Sequence, residues 1–432
     1  MMNCKSLNTG SFLLCFFGFI TGCSLNDPGN TNNEPPLKLH AEQNLSLITL
    51  SWDPVNVTGF KEYIILQSTV YIPNAPVPEV TTETTIVKRI DSREVHSASF
   101  SNTLFAPHLC FKLYTAVNDR FLYSSTVCID QDFTLINGFN DRAGHLDGTD
   151  KVVMFDRVDA RLSTFDYKMN IVSASVGEQS LSFPVIEVSS LNDVTNVIAY
   201  DQSPPRMRKY TFPDLNFLTS RDFTSIIYSV KSYRQFVFVS VDDFDKTFYV
   251  LNRSNFSTID SRTSINGNRN IAIFNTDPVI VLEIGETVMA RYTIDENGHV
   301  VTSEQINRGV SQISTQNTTA NSDDYFIGGR FGNIIDHNGE LVASVNSGVN
   351  AIVLFSRFSV DKNKVLSIVS NNVKVTLDIN DISSLPNTTK VDSYELPVAT
   401  YSDLIVEDHF AYVVGVTFAT GQSQTFILKY PI

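Results

Sequence analysis

The chain has 432 residues, 42% of them hydrophobic, and a formal net charge of −14 at pH 7. The length fits two or three domains, and the acidic balance argues against a nucleic-acid-binding protein, because phosphate contacts need clustered Lys and Arg. Short runs rich in Val, Ile, Thr, Phe and Tyr alternate with Asn, Asp, Gly and Ser, and no long segment has a 3.6-residue apolar period, so the sequence predicts an all-β protein.

Residues 1–22 have the features of a signal peptide. Lys5 precedes an uncharged apolar run at 11–20, which is shorter than the ~20 residues of a membrane-spanning helix and has the size of a signal-peptide core. The run ends in Ile-Thr-Gly-Cys at 20–23, which resembles the lipobox of bacterial lipoproteins. The resemblance implies cleavage before Cys23 and lipidation of its thiol, with the membrane as a partner. An uncleaved anchor with a chance cysteine is the alternative.

Residues 23–36 are rich in Asn, Pro and Gly and predict a flexible tether, because such a segment buries too little apolar surface to fold. In the sorting rule of enteric-type bacteria, Asp after the lipidated cysteine retains a lipoprotein in the inner membrane. Ser24 occupies that position here. We therefore predict a lipid anchor in the bacterial cell envelope, at the outer membrane, with the periplasmic or surface side open.

Residues 37–132 form the first predicted domain. The segments 50–54 (Leu-Ser-Trp-Asp-Pro) and 58–65 (Thr-Gly-Phe-Lys-Glu-Tyr-Ile-Ile) resemble strands B and C of fibronectin type III domains, with Trp52 in the place of the buried Trp of that family. Segments 114–118 and 124–127 resemble its strands F and G, whereas 71–101 departs from its pattern. The resemblance implies a seven-stranded β-sandwich that acts as a spacer or docking surface.

Cys110 and Cys128 remain once the signal peptide and Cys23 are set aside. A single pair in an oxidising compartment predicts a disulfide, and metal binding is the weaker interpretation because structural zinc takes four ligands. The fibronectin-like pattern places Cys110 on strand F and Cys128 on strand G, and some bacterial members of that family carry a cysteine in each of these strands.

Residues 133–432 contain a repeat in which an apolar strand runs into an Asp or Asn turn. The predicted turn-opening residues are 48, 38, 43, 41 and 42 positions apart. A repeat of ~40–45 residues with four short strands is typical of a β-propeller blade. The last copy, at 424–430, lacks an outer strand that residues 133–136 are able to supply, which predicts seven blades; six or eight stay open. The turn-opening residues are Asp166, Asp214, Asn252, Asp295, Asp336 and Asp378.

Few residues carry a signature of catalysis or metal binding. The sequence lacks the common hydrolase, zinc-helix, phosphate-loop and dinucleotide motifs. Asp147 and Asp150 are weak candidates for Ca²⁺ ligands, and the acidic run 242–245 fits a solvated turn better than a site. His299 and His337 lie at repeat turns. We expect no cofactor.

The leading functional hypothesis is a membrane-tethered, non-catalytic binding or scaffolding protein whose propeller loops bind an envelope protein or a glycan. One alternative is a glycan-active enzyme, a glycosidase or lyase, since propellers host such enzymes. The other is a purely structural spacer. Fold alone does not decide between them.

Overall fold

The computed structural model describes residues 37–432 except 45–46, 102–107, 131–134, 139, 141, 147–148, 175–180, 183, 244–245, 265–269, 286–287, 308–319, 322–323, 330, 346–350, 372 and 419–422. The predicted signal peptide, Cys23 and the tether lie outside the described residues. The chain divides into two units. The first comprises residues up to Glu42, Leu50–Ala98 and Ala106–Gln131; the second comprises Gln43–Thr49, Ser99–Phe105 and Asp132–Ile432.

The first eight strands form two sheets. One sheet has the order β1-β2-β5; the other has the order β4-β3-β6-β7, with β8 also paired to β6. The strands are β1 Leu39–Asn44, β2 Leu47–Trp52, β3 Phe60–Ser68, β4 Thr84–Ile90, β5 Ser97–Ser101, β6 His108–Val117, β7 Arg120–Tyr123 and β8 Val127–Asp130.

Aromatic residues fill the interior of the first unit. Trp52 is buried, and its ring centroid lies 5.4 Å from that of Tyr63. The Tyr63 hydroxyl accepts a hydrogen bond from the backbone N–H of Val55 at 3.3 Å. An indole that packs against a buried tyrosine contributes a large apolar area to the core, so the lone Trp is a packing residue.

The disulfide between Cys110 and Cys128 joins β6 to β8, as the sequence predicts. The two cysteines are direct partners in the antiparallel register, with their Cα atoms 4.0 Å apart. Ser124 separates β7 from β8; its backbone N–H donates to Leu113 O and its hydroxyl accepts from Leu113 N. The residues after the β6–β7 hairpin therefore remain paired with β6 on both sides of this interruption.

The second unit contains the remaining strands. In its first half these are β9 Leu135–Asn137, β10 Arg142–His145, β11 Lys151–Asp156, β12 Arg161–Asp166, β13 Ile171–Ala174, β14 Val185–Leu191, β15 Val194–Asp201, β16 Arg206–Thr211, β17 Phe217–Asp222, β18 Ile227–Tyr233, β19 Phe236–Val241, β20 Thr247–Asn252 and β21 Thr258–Thr263. In its second half they are β22 Asn270–Phe274, β23 Val279–Ile284, β24 Met289–Ile294, β25 Val300–Ile306, β26 Ala320–Asn321, β27 Tyr325–Gly328, β28 Asn333–Asp336, β29 Leu341–Ser344, β30 Ile352–Phe358, β31 Lys364–Ser370, β32 Val375–Asp381, β33 Thr389–Leu396, β34 Thr400–Glu407, β35 Phe410–Thr417 and β36 Gln424–Pro431.

These strands form a β-propeller-like repeat domain. In the described residues they make seven four-stranded antiparallel sheets; six use four consecutive strands from β10 to β33, and the last has the order β34-β35-β36-β9. The first strand of each sheet contacts the first strand of the next sheet, and β34 contacts β10. The inner strands therefore form a closed ring. In each of the first six sheets the chain runs from the inner strand to the outer strand through consecutive antiparallel strands.

Strand β9 closes the ring. It pairs with β36 in the register Gln424↔Asn137, Thr425↔Ile136 and Phe426↔Leu135. This confirms the predicted role of Leu135 and Ile136 as an outer strand supplied from the start of the domain; Phe133 and Thr134 lie outside the described residues. Closure covers the edge of the last sheet, which otherwise leaves a row of unpaired backbone groups.

Apolar clusters fill the spaces between neighbouring sheets. Between the third and fourth sheets, Phe248 on β20 stacks on Tyr292 on β24 with ring centroids 4.2 Å apart, and both side chains are buried. The second strand of the third sheet, β19, is buried along its whole length. Such packing accounts for much of the aromatic content, because each ring buries ~150–250 Å².

The repeated turns join the third and fourth strands of the first six sheets. A side-chain oxygen at the turn opening accepts a hydrogen bond from a backbone N–H two to five residues on, the pattern of Asx and related turns. The residues that open the turns are 45, 41, 43, 41 and 45 positions apart, counted from 166, 211, 252, 295, 336 and 381. They are Asp166, Thr211, Asn252, Asp295, Asp336 and Asp381.

Two of the predicted turn openings are wrong. Asp214 lies inside its turn, which Thr211 opens through its hydroxyl. Asp378 lies in strand β32 and is buried, where it accepts hydrogen bonds from Lys390 Nζ and Ser393 Oγ, both at 2.6 Å. The spacing between the observed turn openings is more regular than the predicted spacing. In the second turn a Thr hydroxyl accepts the hydrogen bond that the prediction assigned to a carboxylate.

A β-bulge with an aliphatic residue at the bulged position recurs in six outer strands. In each, one residue is left out of the pairing between the third and fourth strands. A bulge increases the local twist and bends the strand. Each of these outer strands therefore bends close to its first residue, just after the turn. The extra residues are Val172, Leu218, Ile259, Val301, Val342 and Val391.

Strand alternation gives the propeller two faces. Because the strands of each sheet are antiparallel, the turns after the first and third strands lie at one end, which we call the Asx face. The turns after the second strands and the connections between sheets lie at the other end, which we call the opposite face.

Candidate functional site

Charged groups meet where the ring of inner strands closes. The Asp403 side chain on β34 is 2% exposed; its Oδ2 lies 3.0 Å from His145 Nδ1 on β10, and its Oδ1 lies 3.0 Å from an Arg357 guanidinium nitrogen on β30. The backbone N–H of Leu404 also donates to Oδ1. A carboxylate this deeply buried requires such partners. We call His145, Arg357 and Asp403 the ring-closing cluster.

A second charged pair joins inner strands elsewhere in the ring. Glu187 Oε2 on β14 lies 3.5 Å from Lys231 Nζ on β18, and the backbone N–H of Ser232 donates to Glu187 Oε1. The Glu187 side chain is largely buried, whereas that of Lys231 is about one third exposed. Both clusters thus connect consecutive sheets at the innermost radius of the domain.

The chemistry of the ring-closing cluster fits two roles. The Arg357 guanidinium offsets the charge of Asp403, and the His145 ring bonds to the same carboxylate, so the cluster holds three inner strands together. A carboxylate that bonds to Nδ1 of an imidazole also fixes its orientation, as a carboxylate does for the general base of hydrolases. The structural role accounts for both contacts of Asp403. The orientation of the His145 ring by a carboxylate fits the enzyme hypothesis.

A groove of about 310 Å³ lies on the Asx face at the last two sheets. Asp361 in its wall accepts hydrogen bonds from Ser359 Oγ at 2.6 Å and from Asn363 N at 3.2 Å. The bond from Ser359, followed by that from Asn363, lowers the pKa of the Asp361 carboxyl. The groove therefore presents groups of both charges to a polar ligand. Its lining residues are Ser359, Val360, Asp361, Lys364, Asp408, His409 and Ile432.

The calcium hypothesis stays a prediction. Asp147 lies outside the described residues. Asp150 is exposed and forms an ion pair of 2.6 Å with Lys151. Among the residues that the structure describes, no group of three or more His, Cys, Asp or Glu side chains is placed to hold a metal ion.

Of the acidic run 242–245, Asp242 and Asp243 lie between β19 and β20, and residues 244 and 245 lie outside the described residues. Asp242 Oδ2 accepts a hydrogen bond from the Tyr228 hydroxyl at 3.0 Å, and Asp243 Oδ2 accepts one from the Tyr249 hydroxyl at 3.0 Å. Burial, followed by these contacts with Asp243, keeps the pKa of Tyr249 above its usual value. Asp242 and Asp243 therefore lie at the connection between β19 and β20 and bond to tyrosines of β18 and β20; the predicted solvated turn over 242–245 stays a prediction.

The two histidines at repeat turns take different positions. The His299 side chain is largely exposed, with Nδ1 3.9 Å from Asp260 Oδ2. The ring of His337 meets the ring of Phe274 edge-on at a centroid distance of 6.3 Å. Neither residue belongs to the ring-closing cluster.

The ring-closing cluster is not among the sites that the sequence predicts. Asp403 and Arg357 each stand alone among apolar residues of an inner strand, Tyr-Ser-Asp-Leu-Ile-Val at 401–406 and Leu-Phe-Ser-Arg-Phe at 354–358. A lone charge in a buried strand signals a charged partner, since such residues are almost never fully buried unless paired. A lone charge thus identifies Asp403 and Arg357 as residues that need partners. It does not identify His145 as the partner of Asp403, because the two are 258 positions apart in the chain.

In the described part of the chain, no helical segment has the length and hydropathy that a membrane crossing requires.

No family model matches this chain, and no curated protein sequence matches it. Among solved structures, the chain is similar to the crystal structure of the C-terminal WD40 domain of Sif2, with 10% sequence identity and a TM-score of 0.44. That similarity covers 68% of this chain and 98% of the other chain.

Proposed function

We propose that the protein is an envelope lipoprotein, anchored by a lipid on Cys23, whose propeller binds or scaffolds a partner without catalysis. The observation that carries this proposal is the closed ring of inner strands. The ring is sealed by the pairing of β9 with β36 and by the ring-closing cluster. A closed ring holds its loops in fixed relative positions, and binding surfaces built on rigid scaffolds are typically carried on such loops.

The proposal includes seven blades. Each four-stranded sheet would be one blade, with β9 as the outer strand of the last. The ring of contacts from β10 through β14, β18, β22, β26 and β30 to β34 supports this number.

The proposal also includes a fibronectin type III-like sandwich before the propeller. Three strands in one sheet and four in the other, with β7 and β8 counted as one interrupted strand, match the seven strands of that family. The buried Trp52 on β2 and the bond between Cys110 and Cys128 support it further. Such a module would hold the propeller at a distance from the bilayer.

Lipidation is tested by metabolic labelling with an alkyne palmitate in bacteria. We expect the full chain to take up the label and to fractionate with membranes, and the variant Cys23→Ser to do neither. Cys110 and Cys128 are bonded to each other, so Cys23 is the acceptor to test. Label retained by Cys23→Ser would overturn the anchor.

Binding is tested by crosslinking in native envelopes, with the lipidated full chain carrying a C-terminal tag. One envelope protein recovered in near-stoichiometric yield would support scaffolding, and a glycan recovered in its place would support a polymer-binding role. Hydrolysis or elimination of an envelope glycan by the purified protein, lost in Asp403→Asn, would overturn the non-catalytic proposal in favour of the enzyme alternative.

A further inference from the structure

Two basic side chains are buried together between the second and third sheets, on the Asx face. Lys209 lies on β16 and is 7% exposed, and Arg253 lies in the turn after β20 and is 3% exposed. Lys209 Nζ donates a hydrogen bond to the backbone oxygen of Arg253 at 2.8 Å. Charged side chains are almost never buried to this extent unless they are paired with an opposite charge. We call Lys209 and Arg253 the buried cation pair.

The Arg253 guanidinium bonds only to uncharged acceptors. Its Nη1 donates to Ser190 O and Arg234 O, both at 3.2 Å. Its Nη2 donates to Ser189 O at 2.7 Å and to Ser189 Oγ at 3.0 Å. The fifth donor of the group, Nε, is buried and has no hydrogen-bond partner among the described residues. These bonds therefore position the guanidinium at the ends of β14 and β18 without neutralising its charge.

Lys209 lacks both acceptors and a countercharge. An ammonium group carries three donors, and the described residues give Lys209 Nζ one acceptor, the Arg253 oxygen. Burial, followed by the charge of Arg253, lowers the pKa of Lys209. Within the described ranges, no carboxylate is hydrogen-bonded to either member of the buried cation pair. The two positive charges thus lie close together in a place that water does not screen.

The one carboxylate that acts on the pair already has other partners. Burial lowers the pKa of Arg253, and the charge of Glu187 opposes that shift. Glu187 Oε1 accepts a hydrogen bond from the backbone N–H of Ser232, and its Oε2 lies 3.5 Å from Lys231 Nζ. One carboxylate therefore faces Lys231 as well as the buried cation pair. The site keeps an excess of positive charge in a chain whose formal net charge is −14.

An anion would supply what the pair lacks. A water molecule satisfies vacant donors but leaves the charge, and an uncompensated buried charge is strongly destabilising. An oxyanion provides acceptor oxygens and the countercharge together, in charge-assisted hydrogen bonds. Exposed residues, Ser190 and Arg234, accept hydrogen bonds from the Arg253 guanidinium. The buried cation pair therefore lies just beneath the surface of the Asx face.

We propose that the buried cation pair binds an anion that carries two or more acceptor oxygens, as phosphate and carboxylate groups do. Lys209 Nζ and Arg253 Nε donate to those oxygens. The oxygens belong to a free ion or to an acidic side chain of a binding partner, and both sources present the same chemistry. The site goes beyond the proposed function, because it needs neither the lipid anchor nor an envelope partner.

The first experiment measures whether phosphate stabilises the folded protein. The full chain is unfolded with urea in rising concentrations of sodium phosphate, with sodium chloride added to keep the ionic strength constant. A ligand that binds only the folded state stabilises it in proportion to the logarithm of the ligand concentration, once the site is saturated. We expect this response in the wild type. We expect Lys209→Met to weaken the apparent affinity for phosphate by about tenfold, because it removes a charge-assisted hydrogen bond.

Control variants separate an anion site from a purely structural contact. Lys168→Met removes an exposed cation from another turn of the Asx face and should leave the phosphate response unchanged. Lys209→Arg keeps the charge and should retain the response; Lys209→Gln replaces Lys209→Met in the comparison if the latter does not fold. If Lys209 only holds the Arg253 oxygen, Lys209→Met lowers stability by the same amount at every phosphate concentration. Such a parallel loss would overturn the proposal.

The second experiment distinguishes the two sources of the anion. Fluorescent poly-L-glutamate is titrated with the full chain and binding is read from anisotropy. Polyglutamate binding that Lys209→Met abolishes, without a response to phosphate, assigns the site to a carboxylate of a partner. A response to phosphate without polyglutamate binding assigns it to a free anion, and competition between the two probes supports one site open to both. A wild type that responds to neither probe shows that the proposal is wrong.

Discussion

His145 Nδ1 and Asp403 Oδ2 lie 3.0 Å apart across the junction of the first and last sheets, although the two residues are 258 positions apart in the chain. Both side chains are buried. Arg357 bonds to the other oxygen of the same carboxylate from the preceding sheet. Ring closure therefore has a side-chain component at the inner strands as well as a backbone component at β9 and β36.

Asp403→Asn is expected to destabilise the propeller by about 3 kcal/mol, because it leaves the Arg357 guanidinium without its buried countercharge. Asn keeps the shape of the side chain, so the loss measures charge rather than packing. The free energy of unfolding is obtained from urea denaturation. Asp150→Asn is the control; it removes the exposed ion pair with Lys151 and should cost at most about 0.5 kcal/mol. Equal costs for both variants would contradict the role of the cluster.

The Asx turns provide a test of local stability and its pH dependence. Asp166 Oδ1 accepts hydrogen bonds from the N–H groups of Lys168 at 2.9 Å and Asn170 at 2.8 Å. Asp166→Ala is expected to cost about 1 kcal/mol at neutral pH. Asp214→Ala, inside the next turn and exposed, is the matched control and should cost less.

The sign of the pH effect follows from the Asp166 carboxyl. Burial opposes the shift, but hydrogen bonds from Asn170 and Lys168 lower the pKa of Asp166 overall. A lowered pKa contributes stability above the unfolded value of ~3.9, and that contribution is lost as the pH falls through the folded pKa. The gap between wild type and Asp166→Ala should therefore narrow on acidification below about pH 4. A gap that widens would contradict the turn hydrogen bonds.

Buried tyrosines predict a late alkaline transition. Burial, followed by the charge of Glu407, raises the pKa of Tyr412 to about 12, and burial also raises the pKa of Tyr200, Tyr401 and Tyr430. A raised pKa gives stability that is complete below the unfolded value of ~10 and is lost as the pH rises through the folded value. Tyrosinate absorbance in the near ultraviolet should rise in two phases, and the later phase should coincide with unfolding. Tyr412→Phe should remove part of the later phase only.

The sequence predicts those features of this fold that depend on neighbours in the chain. The Asn and Asp turns, the strand content and the pairing of Cys110 with Cys128 all follow from local pattern or from a single available partner. The role of Leu135 and Ile136 was predictable because the last repeat lacks an outer strand. The sequence does not distinguish Asp378 from Asp381 as the turn opening, because both are chemically suited to it; strand register places Asp381 at the turn and Asp378 inside β32.

The candidate site was less predictable for a physical reason. The partners of Asp403 lie on other sheets, and their proximity depends on closure of the whole ring. The exposure of Val373 and Val398 also depends on the fold, because these residues have the same chemistry as the buried valines of neighbouring strands. From sequence alone, a valine is expected to be buried in the core. Only its position at a loop tip in the folded chain shows that its side chain is exposed.

The strand that closes the ring provides the most direct test of the architecture. Ile136 pairs with Thr425 in the middle of the β9–β36 ladder. Ile136→Pro removes a backbone donor and is expected to destabilise the propeller by about 3 kcal/mol, with faster amide exchange in β34, β35 and β36. Val172→Pro is the matched control; it also lies on an outer strand but at a bulge, outside the pairing, where proline is tolerated. Because the Cys110–Cys128 bond lies in the first unit, it should form in both variants. If Ile136→Pro leaves exchange in the last sheet at the level of Val172→Pro, the short ladder of β9 contributes little and the ring-closing cluster alone must hold the ring together.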